Sequence, residues 1–221
     1  MSKKSMILSG LASTVFAAGA HANLLADGSF ESMALAGGNY GNLLENFSSS
    51  VGTNWSNSSN WVLGISTSYT EVGPLSFVAQ DGGKSIDLTG AGNQGPVKLS
   101  QTVNVATPGT YLLSFWLGDI YNTTNYASSA AVKVLVDGTQ QGGVFTHNTI
   151  SSTASWAQQT LMLSLPAGTH VISFSTSGLT LDNYTGLDNV VLTPVPEPSA
   201  WLMLLAGLAT AGFVARRRSG D

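Results

Sequence analysis

The chain has 221 residues, of which 43% are hydrophobic and 9% charged, with a formal net charge of −4 and no cysteine. The lack of cysteine excludes thiol catalysis, cysteine metal sites and a disulfide framework. Between residues 23 and 194 there are ten acids, three lysines and no arginine, so we do not expect nucleic acid as a partner.

The first 22 residues have the pattern of an export signal. Lys3 and Lys4 precede an apolar stretch from Met6 to Ala18, which is followed by the small-residue pattern Ala20-His21-Ala22. A basic start, a short apolar helix and such a pattern are typical of a secretory signal peptide. We therefore predict a signal peptide over residues 1–22. The following 172 residues, 23–194, are enough for one domain with its own core.

Apolar and polar residues alternate along several short runs of this domain. Tyr111, Leu113, Phe115 and Leu117 share one face of such a run, as expected for a half-buried strand. The same period recurs at Val132–Val136, Leu161–Leu165 and Ile172–Phe174.

Turn signals separate these runs, and none of the runs has the pattern of a long amphipathic helix. Asp137-Gly138 is typical of a two-residue hairpin turn. We interpret the Ser-, Asn- and Gly-rich segment 37–60 as a long loop. The pattern predicts an antiparallel β-sandwich.

The last 27 residues, 195–221, combine a proline-rich motif, an apolar run and a basic stop. Val195-Pro196-Glu197-Pro198 precedes the apolar residues 199–215, which are followed by Arg216, Arg217 and Arg218. A helix of 17 residues is about 25 Å long, so it just crosses a hydrocarbon core of about 30 Å. Arginines stay on the cytoplasmic side. This predicts a single transmembrane helix at 199–215 and an exported domain before it.

The order of these elements resembles the PEP-CTERM sorting signal of Gram-negative bacteria. The matching residues are Pro196, Glu197, Pro198 and the arginines 216–218. The resemblance implies an inner-membrane intermediate, processing by an exosortase, and delivery to the cell surface or matrix of a bacterium that makes exopolysaccharide. The alternative is an ordinary C-terminal membrane anchor with a chance Pro-Glu-Pro.

Three phrases of the domain resemble the galactose-binding-like jelly rolls, which include family 4/9 carbohydrate-binding modules and the DUF642 and choice-of-anchor C surface proteins. The phrases are the opening Asn23–Glu31, the pair Asp81–Leu88 and Leu99–Val103, and the closing Gly186–Leu192. The resemblance implies an all-β jelly-roll sandwich over residues 23–194. At position 27 this chain has an aspartate, Asp27, where the family usually has an asparagine. Leu187 alone separates Gly186 from the Asp188-Asn189 pair, where the family often has more residues.

The resemblance also implies a structural calcium ion built from the opening and closing phrases. Glu31 and Asp188 are the ligands it suggests, with Asp27 as a weaker candidate. Hard oxygen ligands suit calcium. The alternative is that these carboxylates only form turns and cap strand ends through backbone hydrogen bonds.

Aromatic residues suggest where a sugar could bind, because sugar rings stack their C–H faces on Trp and Tyr. Trp116 falls on the face of its strand opposite Phe115, and Tyr121 and Tyr126 lie in the polar loop that follows. We predict a sugar-binding rim at these three residues. Trp55 and Trp61 flank an Asn/Ser run and are a second candidate. The alternative is that these tryptophan and tyrosine rings lie in the hydrophobic core and do not contact a sugar.

Catalysis finds little support in the sequence. His147 and His170 have no partnered serine or acid motif, and no zinc-protease, nucleophile-elbow or phosphate-loop pattern occurs. We predict a non-enzymatic exported domain that binds or scaffolds exopolysaccharide. The alternatives are a structural or adhesive surface protein with no defined sugar site, and a polysaccharide hydrolase that uses two carboxylates across a cleft.

Overall fold

The structure is a computed structural model of the full chain. The residues it describes are 22–35, 40–42, 54–57, 62–69, 74–90, 97–123, 126, 128–177, 184–196, 205–212 and 216. The signal peptide predicted for residues 1–22 lies outside these ranges except for its last residue.

The described residues of the domain form short strands joined by turns. In chain order the strands are β1 (Tyr40–Asn42), β2 (Ser56–Asn57), β3 (Leu63–Ser66), β4 (Lys84–Asp87), β5 (Lys98–Val105), β6 (Gly109–Asp119), β7 (Ala130–Val136), β8 (Thr139–His147), β9 (Ser155–Leu165), β10 (Gly168–Thr176) and β11 (Gly186–Pro194). The segment 37–60 was predicted as a loop, and that prediction was wrong at β1 and β2. Strands of two or three residues are too short to leave a periodic pattern.

The strands form two sheets. Sheet A has the order β1-β3-β4-β11-β6-β9, and sheet B has the order β2-β5-β10-β7-β8. All named pairings are antiparallel. The predicted all-β antiparallel sandwich is therefore confirmed. The last strand, β11, lies in the middle of sheet A between β4 and β6.

The core between the sheets follows the alternation seen in the sequence. All four predicted inward residues of β6 are buried, as are Val132, Val134, Ile172 and Phe174. Leu163 and Leu165 are buried, while Leu161 is partly buried and packs against the core. Burial of this apolar surface is the main favourable term in the folding of a sandwich.

The predicted hairpin joins β7 and β8. Asp137 and Gly138 have φ angles of 51° and 81°, and Val136 pairs with Thr139 across them. Two central residues with positive φ define the type I′ turn that matches strand twist. The hairpin prediction is confirmed.

A second apolar cluster, which we call the aromatic cap, packs on the outer face of sheet A. Leu63 and Ile65 contribute from β3 and Trp156 from β9, and their side chains point away from the main core. The other members come from connecting segments, so the cap covers one end of the outer face of sheet A. They are Tyr69, Leu75, Phe77, Val78, Ile120, Tyr126, Ala154 and Tyr184.

Candidate functional site

The opening and closing phrases meet at what we call the chain-end junction, residues 23–33 together with β11. The Asn23 side chain donates to Val190 O at 2.9 Å and accepts from Leu192 N at 2.8 Å. Gly28 lies so close to β11 that an added Cβ would be 1.9 Å from Val190 O. The junction therefore requires both asparagine and glycine where the sequence has them.

Glu31 connects this junction to β4. Its Oε1 accepts from Gly83 N at 2.8 Å and from Lys84 N at 2.7 Å. In return the Lys84 ammonium donates to Glu31 O at 2.6 Å and to Met33 O at 2.8 Å. A protein cation thus contacts two main-chain carbonyls of the opening segment.

Asp27 and Asp188 also bind main-chain and hydroxyl donors. Asp27 accepts from the Ser32 backbone N–H at 3.1 Å and from the Ser32 hydroxyl. Asp188 accepts from Gln80 N at 2.8 Å, from Asp81 N at 3.0 Å and from Asn189 N at 2.7 Å. Burial raises the pKa of the Asp188 carboxyl to about 7, although these donors favour its charged form.

The three predicted calcium ligands do not form one metal site. The described residues contain no group of three Asp, Glu or His side chains placed to hold a metal ion. Each carboxylate accepts backbone hydrogen bonds, which is the turn and capping arrangement that the sequence left open. Calcium binding by Glu31 and Asp188, with Asp27 as the weaker candidate, stays a prediction.

The aromatic cap is built on two glycines. An added Cβ at Gly118 would lie 2.6 Å from the Trp156 ring, and one at Gly186 would lie 2.7 Å from Tyr184 Oη. Gly118 pairs with both Gly186 and Trp156 across neighbouring strands. Because glycine has no side chain, these two positions leave space for the Trp156 and Tyr184 rings, whose centroids are 6.4 Å apart.

Polar groups are buried beneath this cap. Ser85 and Asp87 of β4 project on the same face as Gly186, and Asp87 accepts from Thr89 N at 2.9 Å. Burial raises the pKa of Asp87 to about 6. The hydroxyl oxygens of Ser85 and Tyr184 are both buried, and the Ser85 hydroxyl interacts with the Tyr184 phenol. Burial raises the pKa of the Tyr184 phenol, which therefore stays protonated.

Trp116 lies on the same outer face but beyond the cap. It is half-buried, between Asp188 of β11 and Gln158 of β9 in the register. Within the described residues its indole N–H has no acceptor and its ring has no aromatic neighbour. A tryptophan with an unused donor on an open sheet face is the type of group that a sugar ring covers.

The sheet continues past Trp116 as an open surface. Ser114 pairs with Thr160, and Leu112 pairs with Met162, whose side chain is 55% exposed. We call this surface the Trp116 face. It comprises Leu112, Ser114, Trp116, Gln158, Thr160 and Met162.

The other two predicted sugar contacts lie elsewhere. Tyr126 is half-buried in the aromatic cap, with its ring edge-on to Phe77 at a centroid distance of 6.0 Å. Tyr121 is also half-buried, and its N–H donates to Ser151 O at 2.8 Å. The structure therefore places Tyr126 with core-like neighbours, whereas Trp116 lies on the open sheet.

The second aromatic candidate is wrong at Trp55. Its ring is fully buried between Phe30 and Phe174, with centroid distances of 5.5 and 6.1 Å, and its N–H donates to Asp27 O. Such a ring fills the core and cannot reach a ligand. Trp61 lies outside the described residues.

The two histidines of residues 23–194 each contact one polar side chain. His170 is buried, with Nδ1 2.7 Å from Asp137 Oδ2 and Nε2 3.0 Å from Pro166 O. Nδ1 therefore joins β10 to the β7–β8 turn, and Nε2 joins it to the connection between β9 and β10. His147 Nε2 lies 3.2 Å from Ser155 Oγ.

The described part of the tail is small. Pro196 is exposed directly after β11, and residues 205–212 are helical and exposed, as is Arg216. In the parts of the chain that are described, no helix is long and apolar enough to span a bilayer. Glu197, Pro198, Arg217, Arg218 and much of the predicted span 199–215 lie outside these parts.

Comparison with protein families identifies the domain. The family described as protein of unknown function (DUF642) matches residues 23–192. The chain belongs to the DUF642 family. The PEP-CTERM protein-sorting motif matches residues 194–218 behind the DUF642 domain and implies an exported protein processed by an exosortase. A comparison with curated proteins finds no match.

Several solved structures are similar to the DUF642 domain. TmCBM61, solved with β-1,4-galactotriose, is 16% identical with a TM-score of 0.46, over 79% of this chain and 99% of its own. The K1 cleaved adhesin domain of Lys-gingipain from Porphyromonas gingivalis W83 is 17% identical with a TM-score of 0.47, over 72% and 100%. A family 35 carbohydrate-binding module from Clostridium thermocellum is 15% identical with a TM-score of 0.39, over 60% and 88%.

Proposed function

We propose that this protein is an exported, exosortase-processed surface or matrix protein whose DUF642 domain binds exopolysaccharide without catalysis. The observation that carries the proposal is the Trp116 face. It combines one half-buried indole, whose N–H has no acceptor among the described residues, with exposed Gln158 and Thr160 on an open sheet. An apolar ring surface flanked by amide and hydroxyl groups suits a sugar ring and its polar edge.

The burial of the acids on sheet A supports a binding role rather than a hydrolytic one. Asp87 and Asp188 project on this sheet, but both are buried and accept backbone hydrogen bonds. A glycosidase needs two carboxyl groups that flank the scissile bond in an accessible cleft. Carboxyls enclosed by their own chain support a structural role.

The Trp116→Ala replacement tests the binding proposal. Titration calorimetry of the purified full chain with neutral polysaccharides, including the host's own exopolysaccharide, should give saturable binding that weakens about tenfold in this variant, since one aromatic contact contributes on the order of 1 kcal/mol. Val144→Ala is the matched control, because it removes exposed apolar surface from sheet B. An absence of heat with every glycan, from a folded protein, would favour a structural or adhesive surface protein.

The Glu197→Ala replacement tests the sorting proposal. Glu197 lies between two prolines directly before the apolar run, where an extended segment outside the bilayer is accessible to a processing enzyme. We expect the variant to accumulate in the inner membrane, as measured by fractionation and immunoblotting. Release at the same rate as the unchanged protein would argue against this motif as the processing signal.

A further inference from the structure

Strand β9 forms one edge of sheet A. It pairs with β6 along its whole length, from Ser155 to Leu165, without a register shift. In the part of the chain that the structure describes, no other strand pairs with it. Because the backbone groups of a strand alternate between its two sides, every second residue of β9 points its N–H and C=O away from β6. This edge is therefore a template for one more strand.

The edge at β9 differs from the other three edges of the two sheets. Among the described residues, β1 and β2 have three and two residues. The pairing of β8 with β7 is interrupted by a register shift, and β8 contains Gly142 and Gly143. In contrast, β9 has eleven residues and contains no charged residue, no proline and no glycine. Short strands, bulges, charges and prolines are the features that keep edge strands from pairing, and β9 has none of them.

Apolar side chains at this edge are only partly covered. Leu161 faces the core but is partly buried, whereas the inward residues of the neighbouring strand β6 are buried. On the outer face, Met162 is 55% exposed. A strand added beside β9 would remove apolar surface of both residues from water, which favours association.

We infer that β9 pairs with β9 of a second copy of this chain, antiparallel and around a two-fold axis at Thr160. Thr160 is the middle residue of the strand, so this register pairs the two copies over their full length. Paired residues are then an even number of positions apart in the sequence, so outward residues lie opposite outward residues. The two copies of sheet A form one continuous sheet.

The residues that this register brings together are compatible. Thr160 lies opposite its own copy, and threonine pairs across antiparallel strands are stabilising. Met162 lies opposite Gln158 on the outer face, and Leu163 lies opposite Ala157 on the inner face. Because β9 has no charge, two identical copies bring no like charges together. The same strand is used by both copies, so the assembly closes as a dimer.

A single introduced cysteine tests this pairing, because the chain has no cysteine of its own. Thr160→Cys places two thiols opposite each other at the axis, where a Cα separation of about 4.5–5.5 Å suits a disulfide. Under oxidising conditions the purified full chain should form a dimer that a reductant separates on a denaturing gel. Thr146→Cys is the matched control, because it changes an exposed threonine of the edge strand β8, and it should remain monomeric on the same gel.

Thr160→Lys tests the same contact without a covalent bond. Two ammonium groups would lie directly opposite each other, and a lysine on an edge strand opposes pairing. We expect dimerisation of the purified full chain, measured by sedimentation equilibrium, to weaken by at least about tenfold. Thr146→Lys should leave the dimerisation constant unchanged.

Three results would overturn the inference. A monomer at every protein concentration would leave the edge to an extended segment of another protein. A dimer that Thr160→Lys does not weaken would place the contact elsewhere in the chain. Equal cross-linking of the Thr160→Cys and Thr146→Cys variants would show collision rather than a specific pair. These measurements use no glycan, so their outcome is independent of the sugar-binding proposal.

Discussion

The two sheets of the sandwich share one core but have outer faces of opposite chemistry. Sheet A carries the strand acids Asp87, Asp119 and Asp188, all buried, and covers part of its outer face with aromatic rings. Sheet B has no strand acid, and its outer face carries hydroxyls, valines and two lysines. Burying a charged group costs more free energy than burying a neutral polar group unless it is paired. The strand acids of sheet A therefore depend on their hydrogen bonds, as the buried Gln101 and His170 of sheet B depend on theirs.

The largest expected loss of stability comes from adding a side chain at a glycine beneath the aromatic cap. Gly186→Ala places a Cβ 2.7 Å from Tyr184 Oη and 2.8 Å from the Trp156 ring. Overpacking of this kind costs about 1–3 kcal/mol, or about 2–4 °C in Tm for each kcal/mol in a domain of this size. Gly143→Ala in β8 of sheet B is the matched control, because nothing lies within 4 Å of its added Cβ. Equal Tm values in thermal unfolding would contradict the description of the cap as tightly packed.

Replacing one lysine in each sheet should also distinguish sheet A from sheet B, with a smaller difference in the free energy of unfolding. Lys84→Met removes an ammonium that donates to Glu31 O and Met33 O, and hydrogen bonds from charged groups are worth about 1.5–3 kcal/mol. Lys133→Met on the outer face of sheet B should change the free energy of unfolding by less than about 0.5 kcal/mol. Denaturant titrations of both variants measure the difference.

The same titrations, repeated with a chelator, test the calcium prediction. If calcium is structural, the chelator lowers the Tm of the unchanged protein, because loss of a ligand of the native state destabilises it. An unchanged Tm would argue against a structural calcium ion and would leave the Lys84 ammonium as the cation that contacts the opening segment.

A further effect should appear in the dependence of stability on pH. Burial raises the pKa values of Asp87 and Asp188 to about 6 and about 7, above their ordinary value of 3.8. The folded protein then holds protons that the unfolded chain releases, so stability falls as pH rises from about 4 to about 7. Asp137 raises the pKa of His170, so this pair also loses stabilisation as pH rises through the raised pKa.

The variant Asp188→Asn separates these contributions. It should flatten the fall in Tm between pH 5 and pH 8, while Lys133→Gln on sheet B should leave the slope unchanged. A slope identical to that of the unchanged protein would show that Asp188 does not hold a proton in the folded state at pH 5.

The sequence predicted what depends on local pattern. The alternation at Tyr111–Leu117 identified β6 and its buried face, and Asp137-Gly138 identified the hairpin, because both signals lie within one strand or turn. The opening and closing phrases indicated the family. Predicting these features does not require knowing which strands are neighbours.

The sequence did not predict what depends on contacts between distant segments. Asp188 accepts from Gln80 and Asp81, more than a hundred positions earlier, and Lys84 binds carbonyls about fifty positions away. Trp55 and Trp116 are the same residue type, yet Trp55 fills the core and Trp116 lies on an open face. Alternation within β6 predicted the position of Trp116, whereas the burial of Trp55 depends on contacts with the distant Phe30 and Phe174.

The central position of β11 bears on the order of events during secretion. A chain leaves a translocation channel from its N-terminus, and the strand that separates β4 from β6 is the last of the domain to emerge. The contacts of Asn23 with β11 cannot form earlier. In the proposed export route, sheet A therefore stays incomplete, with unpaired strand edges that invite aggregation, until the residues just before the sorting motif have crossed the membrane.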